Sequence, residues 1–400
     1  MIVNAKLVSP KGTGEGTRVL IESGKISAVG DTLRVGADAK DLGGATIYPG
    51  FVDIHIHGAV GVDVNSADTD GLIEIARFLA SNGVTAWVPT LVPDSDDNYR
   101  RVIAAIDRLM EIQVSQPIAQ AVGVHYEGVF ANEKMCGALR PEFFKKFSRS
   151  EHMPTTTPSA EAASTPPLKG GELSDLPRLK TGVHMTTLAP EIEGGIELIR
   201  ELRRQGWVVS IGHTSSGVEV LDQAFDAGAR HLTHFYNAMT GLHHRDIGVV
   251  GWALTNDGVT FDIIADGIHV HPKMLEFACR NKGTDNVSLI SDSVAPTGLG
   301  DGEYKIWGEK VAVVNGRTEN ERGSIAGSVI TMLDAFNRML SLGFSSVDVS
   351  KMASLNPARL LGIDKSYGSI EVGTRADIVA LDKDGNLKLT MVGGKIVFEA

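Results

Sequence analysis

Histidine and acidic residues end five apolar runs that are spread over more than half of the 400 residues. Typical runs are FVDIHIHG at residues 51–58 and VSLISD at residues 287–292. Histidine and carboxylate ligands without cysteine suit a catalytic Zn²⁺ or Fe²⁺ site, because structural zinc sites favour thiolates. The sequence therefore predicts a metal centre built from His55, His57, Glu127, His213 and His234, with Asp292 beside it.

Hydrolysis is the chemistry expected of such a centre. A metal with an open coordination position lowers the pKa of bound water towards about 7 and polarises a carbonyl group. A neighbouring carboxylate can take the proton of that water and pass it to the leaving group. Asp292 is the candidate for this role because it ends the last apolar run. Its alternative role is that of N-cap of a following helix.

The spacing of His55 and His57 strengthens the metal interpretation. A single histidine near an apolar strand is more often structural than a ligand. Two residues apart in a strand, however, the two side chains point to the same face, and an unpaired imidazole inside a barrel is costly. Three further residues able to bind a metal lie at equivalent strand ends and favour a joint site, namely Glu127, His213 and His234.

Alternating strand-like and helix-like runs predict how these residues are brought together. Eight runs read as barrel strands, ending near His57, Thr90, Glu127, Leu188, His213, His234, Ala265 and Asp292. Helices are predicted near residues 98–111 and 195–205. Such alternation indicates an α/β fold with a parallel sheet, and ligands at strand ends favour a TIM-type (β/α)₈ barrel.

The two ends of the chain differ from the middle in their pattern of apolar residues. Residues 1–48 and 367–400 contain short β-type runs, and we expect them to form one small β-sandwich domain beside a barrel domain at residues 49–366. The GTGEG stretch at residues 12–16 is interpreted as a Gly-rich turn. Ser148 to Leu176, rich in Ser, Thr, Pro and Gly, is predicted to be a surface loop or insertion.

Composition excludes several classes of function. The formal net charge is −11, and no Lys/Arg-rich run is present, which argues against nucleic-acid or anionic-membrane binding. Two cysteines are too few for a disulfide framework, and no apolar stretch reaches the roughly 18 residues of a membrane span. The N-terminal residues lack a signal-peptide pattern, so a cytoplasmic location is expected.

Several motifs resemble the amidohydrolase superfamily and, within it, the N-acetylglucosamine-6-phosphate deacetylases. They are PGFVDIHIHG (49–58), HYEG (125–128), TLAPE (187–191), GHT (212–214), THFYNAM (233–239), LHHRDIGVVG (242–251) and DGIHVHP (266–272). The resemblance covers nearly the whole chain outside residues 148–176. It implies hydrolysis of the N-acetyl group of N-acetylglucosamine 6-phosphate to glucosamine 6-phosphate and acetate.

The resemblance also implies roles for individual residues. Glu127, His213 and His234 would hold a main metal, and His55 with His57 a second one. One or two divalent ions per subunit are expected; zinc is the first choice, but such ligands also accept Fe, Mn or Co. Asp292 matches the family's catalytic acid and base.

Substrate contacts are implied at Asn237, the backbone of Ala238, His269 and Arg245. In relatives, the arginine that matches Arg245 reaches the phosphate from a neighbouring subunit, which implies a homodimer. Guanidinium and imidazole groups are good phosphate partners in an acidic protein. An exposed ion pair with Asp246 is the alternative role for Arg245.

One departure from the family pattern bears on the substrate. Leu139 stands where relatives commonly have a substrate-contacting histidine, and leucine donates no hydrogen bond. That role is vacant or has moved to a neighbour such as Arg140. Alternative substrates therefore stay open: N-acetylgalactosamine 6-phosphate, an N-acyl-D-amino acid or a cyclic amide. A non-catalytic binding or assembly protein is the remote alternative.

Overall fold

Eight parallel strands, arranged in chain order, form a nearly closed barrel. The computed structural model describes residues 1–36, 38–147 and 176–400. The backbone N–H of Asp292 donates to the carbonyl of His55 over 2.9 Å and links the last strand to the first. The expected TIM-type barrel is confirmed. Its strands are Phe51–Ile56, Val84–Leu91, Gly123–Phe130, Val183–Leu188, Val208–Ile211, His231–Leu232, Thr260–Ile264 and Val287–Ile290, with Gln120–Ala121 as a short extra strand.

Amphipathic helices cover the outside of the barrel. Asp68 and Ser95 cap the first two by accepting the N–H groups of Gly71 and Asn98. The α-helices are Thr69–Ala80, Asp96–Ile112, Gly195–Arg204, Val218–Asp226, Gly248–Thr255, Pro272–Lys282, Met332–Ser341, Ser346–Ser350 and Asn356–Leu360. A π-helical segment spans Lys351–Leu355, and 3₁₀ turns lie at Gln113–Ser115, Glu133–Met135, Pro141–Phe143 and Thr284–Asn286. Both helices predicted from the sequence are confirmed to within two residues.

The largest core cluster lies between the barrel strands and these helices. Trp87 and Phe261 on strands are buried together with Leu72 and Leu198 on helices. Because the strands are buried on both faces, they read as continuous apolar runs in the sequence. Among the helices in the described part of the chain, none combines the length and the apolarity that crossing a bilayer requires.

A second, mostly antiparallel sheet joins the two ends of the chain, as expected. Thr46–Pro49 pairs with Ile378–Leu381, which brings the N-terminal and C-terminal strands together. The other strands are Ile2–Ser9, Gly12–Glu22, Lys25–Gly30, Lys40–Asp41, Leu387–Val392 and Lys395–Glu399. The turn predicted at residues 12–16 is wrong, because these residues extend the second strand and Leu7 pairs with Gly14. The domain boundaries at residues 48 and 367 stay predictions.

A small three-stranded sheet follows the last barrel strand and was not anticipated from the sequence. Its strands are Gly302–Ile306, Glu309–Val314 and Arg317–Asn320, and a two-stranded hairpin at Gly58–Ala59 and Val62–Asp63 follows the first barrel strand. The insertion predicted at Ser148 to Leu176 lies outside the described residues, apart from Leu176.

Candidate active site

The six side chains predicted to do chemistry converge at one end of the barrel, and all six are buried. Oε1 of Glu127 lies 2.9 Å from Nε2 of His234 and 3.1 Å from Nε2 of His213. Its Oε2 lies 3.2 Å from Nε2 of His57. Two groups of ligand atoms therefore share Glu127, one with His55 and His57 and the other with His213 and His234.

The tautomers of His213 and His234 show that this cluster fits a cation. Nδ1 of each ring faces a backbone carbonyl, that of Met135 at 2.8 Å and that of Asn237 at 3.2 Å. A carbonyl only accepts, so each Nδ1 carries a proton and each ring, when neutral, presents a lone pair at Nε2. These two Nε2 atoms are 3.1 Å apart and face Glu127. Lone pairs and a carboxylate brought together in this way need a positive charge between them.

The pKa values of the cluster also indicate a site for positive charge. Burial lowers the pKa of His57 and His234, but contacts with Glu127 and Asp292 outweigh it and raise these pKa values to about 10 and about 9. Burial likewise raises the pKa of Glu127, but the surrounding histidines hold it well below its ordinary value. The site therefore favours bound positive charge, whether as protons or as a metal ion.

Asp292 stands beside the histidine pair and not at a helix start. Its Oδ1 lies 3.3 Å from Nε2 of His57 and 3.5 Å from Nε2 of His55. The next α-helix begins at Met332 and is capped by Thr331, so the N-cap alternative is wrong. Burial raises the pKa of Asp292, yet its histidine neighbours bring it below the ordinary value. This carboxylate is ionised at neutral pH.

Three of these residues have a left-handed backbone, which only glycine adopts without strain. The φ angles of His213, His234 and Asp292 are 49°, 35° and 49°. Each residue lies two positions after the last residue of a barrel strand, where the chain turns out of the sheet. Strained conformations of this kind persist only where surrounding contacts fix them, and they cluster at functional sites.

Three carboxylates supply those contacts; two of them are fully buried and the third, Glu191, is half-buried. Asp53 accepts the hydroxyl of Ser291, next to Asp292, over 2.5 Å, and burial raises its pKa to about 6. Asp262 accepts the backbone N–H of His234. Glu191 accepts hydrogen bonds from Thr214, Ser215, Ser216 and Asn132. These three residues were not predicted, although Asp53 and Asp262 are acidic residues inside otherwise apolar strands, a signal that was available in the sequence.

A cavity of about 310 Å³ opens over the cluster. Of the predicted substrate contacts, it is lined by Asn237, Ala238, His269 and Leu139. Nδ1 of His269 lies 2.6 Å from Oδ2 of Asp266, which leaves its Nε2 for a ligand. Trp307, which the sequence reasoning missed, also lines the cavity.

Two arginines lie away from this cavity. Arg245 is exposed, and its Nη1 lies 2.9 Å from Nε2 of His244; the ion pair with Asp246 is not formed within the described residues. Arg140 pairs with Asp94 at 2.9 Å and donates to the carbonyl of Pro93. It therefore does not take the place of the histidine that Leu139 replaces.

Comparison with known proteins agrees with this geometry. The model of the amidohydrolase family matches residues 46–397. The chain belongs to the amidohydrolase family. The resemblance of its motifs is thus confirmed over the barrel and over the strands of the terminal sheet that lie between residues 46 and 397.

Several similar amidohydrolases are named for a specific deacetylase reaction. The N-acetylglucosamine-6-phosphate deacetylase of Vibrio furnissii is 35% identical over 384 residues, which cover 95% of this chain and 90% of the relative. The N-acetylgalactosamine-6-phosphate deacetylase of Escherichia coli O157:H7 is 32% identical over 397 residues, 98% of this chain and 97% of the relative. The crystal structure of N-acetylglucosamine-6-phosphate deacetylase from Thermotoga maritima has a TM-score of 0.84 at 30% identity and covers 100% of this chain and 99% of its own.

Proposed function

We propose that this amidohydrolase hydrolyses the N-acetyl amide of N-acetylglucosamine 6-phosphate to glucosamine 6-phosphate and acetate. The observation that carries the proposal is the convergence of five metal-ligating side chains and Asp292 below one cavity. Relatives named for this reaction match the chain nearly end to end.

The ligand sets would hold one or two divalent ions. Glu127, His213 and His234 would bind the first, and His55, His57 and the shared Glu127 the second. Zinc is the proposed ion, and Fe, Mn and Co suit the same ligands. Such an ion supplies a Lewis acid that polarises an amide carbonyl and makes water more acidic.

Asp292 moves the proton in this proposal. Its ionised carboxylate accepts a proton from the attacking water. It then donates that proton to the amide nitrogen as the C–N bond breaks, so that the amine leaves neutral. The backbone bond from Asp292 to His55 and the support of Ser291 by Asp53 keep the carboxylate in place.

The rest of the cavity would recognise a phosphorylated amino sugar. Asn237 and the backbone of Ala238 offer polar contacts, and His269, held by Asp266, faces the cavity as a phosphate partner. Arg245, exposed and outside its own cavity, would reach the phosphate of a neighbouring subunit in a homodimer. The two free cysteines, one of them half-buried, suit the reducing cytoplasm that we propose as its location.

The galacto epimer is the second candidate substrate. The Escherichia coli relative is named for it, and Leu139 lines the cavity without offering a hydrogen bond. N-acyl-D-amino acids and cyclic amides have less support, because no relative described above is named for them. A non-catalytic role fits poorly with a complete set of buried ligands.

Acetate release tests the proposal. We would assay N-acetylglucosamine 6-phosphate, its galacto epimer and unphosphorylated N-acetylglucosamine with protein whose metal content is measured in the same preparation. Turnover confined to phosphorylated sugars is expected, and the ratio of kcat/KM values identifies the epimer. Metal-loaded protein that is inert towards all three sugars would refute the proposal.

A further inference from the structure

A tryptophan occupies a turn position that favours asparagine or glycine. Ile306 pairs with Glu309, so Trp307 and Gly308 form the two-residue turn between the first two strands of the three-stranded sheet. Their φ angles are 52° and 88°. Hairpin turns with positive φ at both central residues are of type I′, and Asn-Gly is their preferred sequence.

The next turn of the same sheet provides an internal comparison. Val314 pairs with Arg317, and the two central residues are Asn315 and Gly316, with φ angles of 51° and 76°. The chain thus uses the preferred pair in one turn and a bulky aromatic residue in the other, at nearly the same φ. A bulky residue in the left-handed region is an outlier, and such outliers concentrate where function fixes them.

The indole of Trp307 lies at the reactive end of the cavity. Its ring centroid is 5.2 Å from that of His57, with the two planes at 82°. Nε2 of His57 is in turn 3.3 Å from Oδ1 of Asp292. Trp307 also packs in a small hydrophobic cluster with Ala138, which lines the same cavity next to Leu139. An aromatic and aliphatic wall therefore stands beside the group that we propose to transfer the proton.

We propose that Trp307 closes the acyl subsite and restricts this amidohydrolase to short acyl groups such as acetyl. The inference rests on the proposed function. Asn237 and His269 are assigned to the sugar phosphate in the proposed function, so the acyl chain is placed on the side of the cavity that Trp307 and Ala138 line. A longer acyl group has to displace an indole that is anchored by a paired hairpin and by the cluster around Ile306 and Val311.

The test compares N-acetyl- and N-butyryl-glucosamine 6-phosphate as substrates of metal-loaded wild type, Trp307→Asn and Trp307→Phe. Asparagine suits the turn, so Trp307→Asn is expected to keep the hairpin although it loses the packing of the indole. We expect its ratio of butyryl to acetyl kcat/KM to rise by at least ~10-fold, the discrimination that one or two methylenes provide in an apolar pocket. Trp307→Phe retains a ring and is expected to raise the ratio less.

Val314→Asn is the matched control, because Val314 belongs to the same sheet and is 60% exposed. Its ratio should equal that of the wild type. If both Trp307 variants keep acetyl turnover and the wild-type ratio of butyryl to acetyl kcat/KM, Trp307 does not limit the acyl group. The proposed function is not affected by that result. Wild-type protein that hydrolyses neither compound overturns both.

Discussion

Asp262 supports His234 from behind the proposed metal site. Its Oδ1 accepts the backbone N–H of His234, and its Oδ2 lies 3.0 Å from Nε2 of His231. His231 in turn is 2.7 Å from the hydroxyl of Thr260 through Nδ1. The strained backbone of His234 is thus tied to the buried side chains of Asp262 and His231, which fixes the direction in which its Nε2 points.

We expect Asp262→Ala to bind metal more weakly without exposing the site. Partners that orient metal ligands typically contribute 10- to 100-fold in metal affinity. Competition with a chromogenic chelator measures this loss, and Asp262→Asn, which keeps an acceptor for the N–H, should lose less. Asp222→Asn is the control, because Asp222 accepts the indole N–H of Trp252 between two outer helices. Equal affinities in Asp262→Ala and wild type would contradict this role.

Removal of metal is expected to destabilise the fold. Without a metal ion, only protons can offset the charge of Glu127 and the facing lone pairs of the histidines around it. A ligand present at 100 times its Kd stabilises by about 2.7 kcal/mol, so a chelator should lower the melting temperature and added zinc should restore it. Glu127→Gln serves as the comparison, and its melting temperature should change less on addition of either chelator or zinc. An identical melting temperature with and without chelator would argue against a metal site.

The sequence predicted the barrel and the cluster of candidate metal ligands because both depend on local patterns. Buried parallel strands give apolar runs, and their ends carry the ligands, so Glu127, His213 and His234 were identifiable without a structure. Glu127 itself lies inside its strand, which continues to Phe130. Strand ends are fixed by pairing with neighbours, which a single run of residues does not reveal.

Features that depend on distant pairing were missed. Gly12–Glu22 is a strand despite its glycines because Ile2–Ser9 pairs along it. The position of Trp307 in the cavity was not predictable from the sequence. It depends on a left-handed turn and on a contact with His57, which is more than 200 residues away in the chain. The role of Glu191 likewise arises from contacts with residues 214–216.

Glu191 is expected to make the free energy of unfolding depend on pH in the acidic range. Burial raises its pKa, but hydrogen bonds from Ser216, Thr214 and Asn132 outweigh this and bring it below the ordinary value of 4.5. A lowered pKa in the folded state adds stability above the unfolded pKa, and that stability is lost as the pH falls through the folded pKa.

The free energy of unfolding of metal-free wild type and Glu191→Gln, measured from pH 7 to pH 3, tests this prediction. The wild type should lose stability more steeply than Glu191→Gln below about pH 4.5, the reference pKa. Metal-free protein is required because acid also releases metal ions. Parallel curves would show that the ionised carboxylate of Glu191 contributes nothing to folding.

Asp292→Asn should lose turnover while it keeps its metal. The amide fills the same space but cannot accept the proton of water, and general acid–base catalysis contributes about 10²- to 10⁴-fold. We therefore expect kcat to fall by at least 10²-fold, with metal content and melting temperature near those of the wild type. Asp266→Asn, which alters the partner of His269, is the comparison and should mainly raise KM. A variant with wild-type kcat would remove Asp292 from the mechanism.

Arg245 is expected to act in the active site of a neighbouring subunit. It is exposed and does not line its own cavity, so Arg245→Ala should raise KM for the phosphorylated sugar and leave kcat near that of the wild type. Mixing provides the decisive measurement. When Arg245→Ala and Asp292→Asn proteins are dissociated and reassembled together, a hybrid dimer has one site with both an intact Asp292 and an intact Arg245 from its neighbour. At a substrate concentration well below the KM of Arg245→Ala, such a mixture should be more active than either variant alone, whereas an arginine serving its own subunit would give no gain.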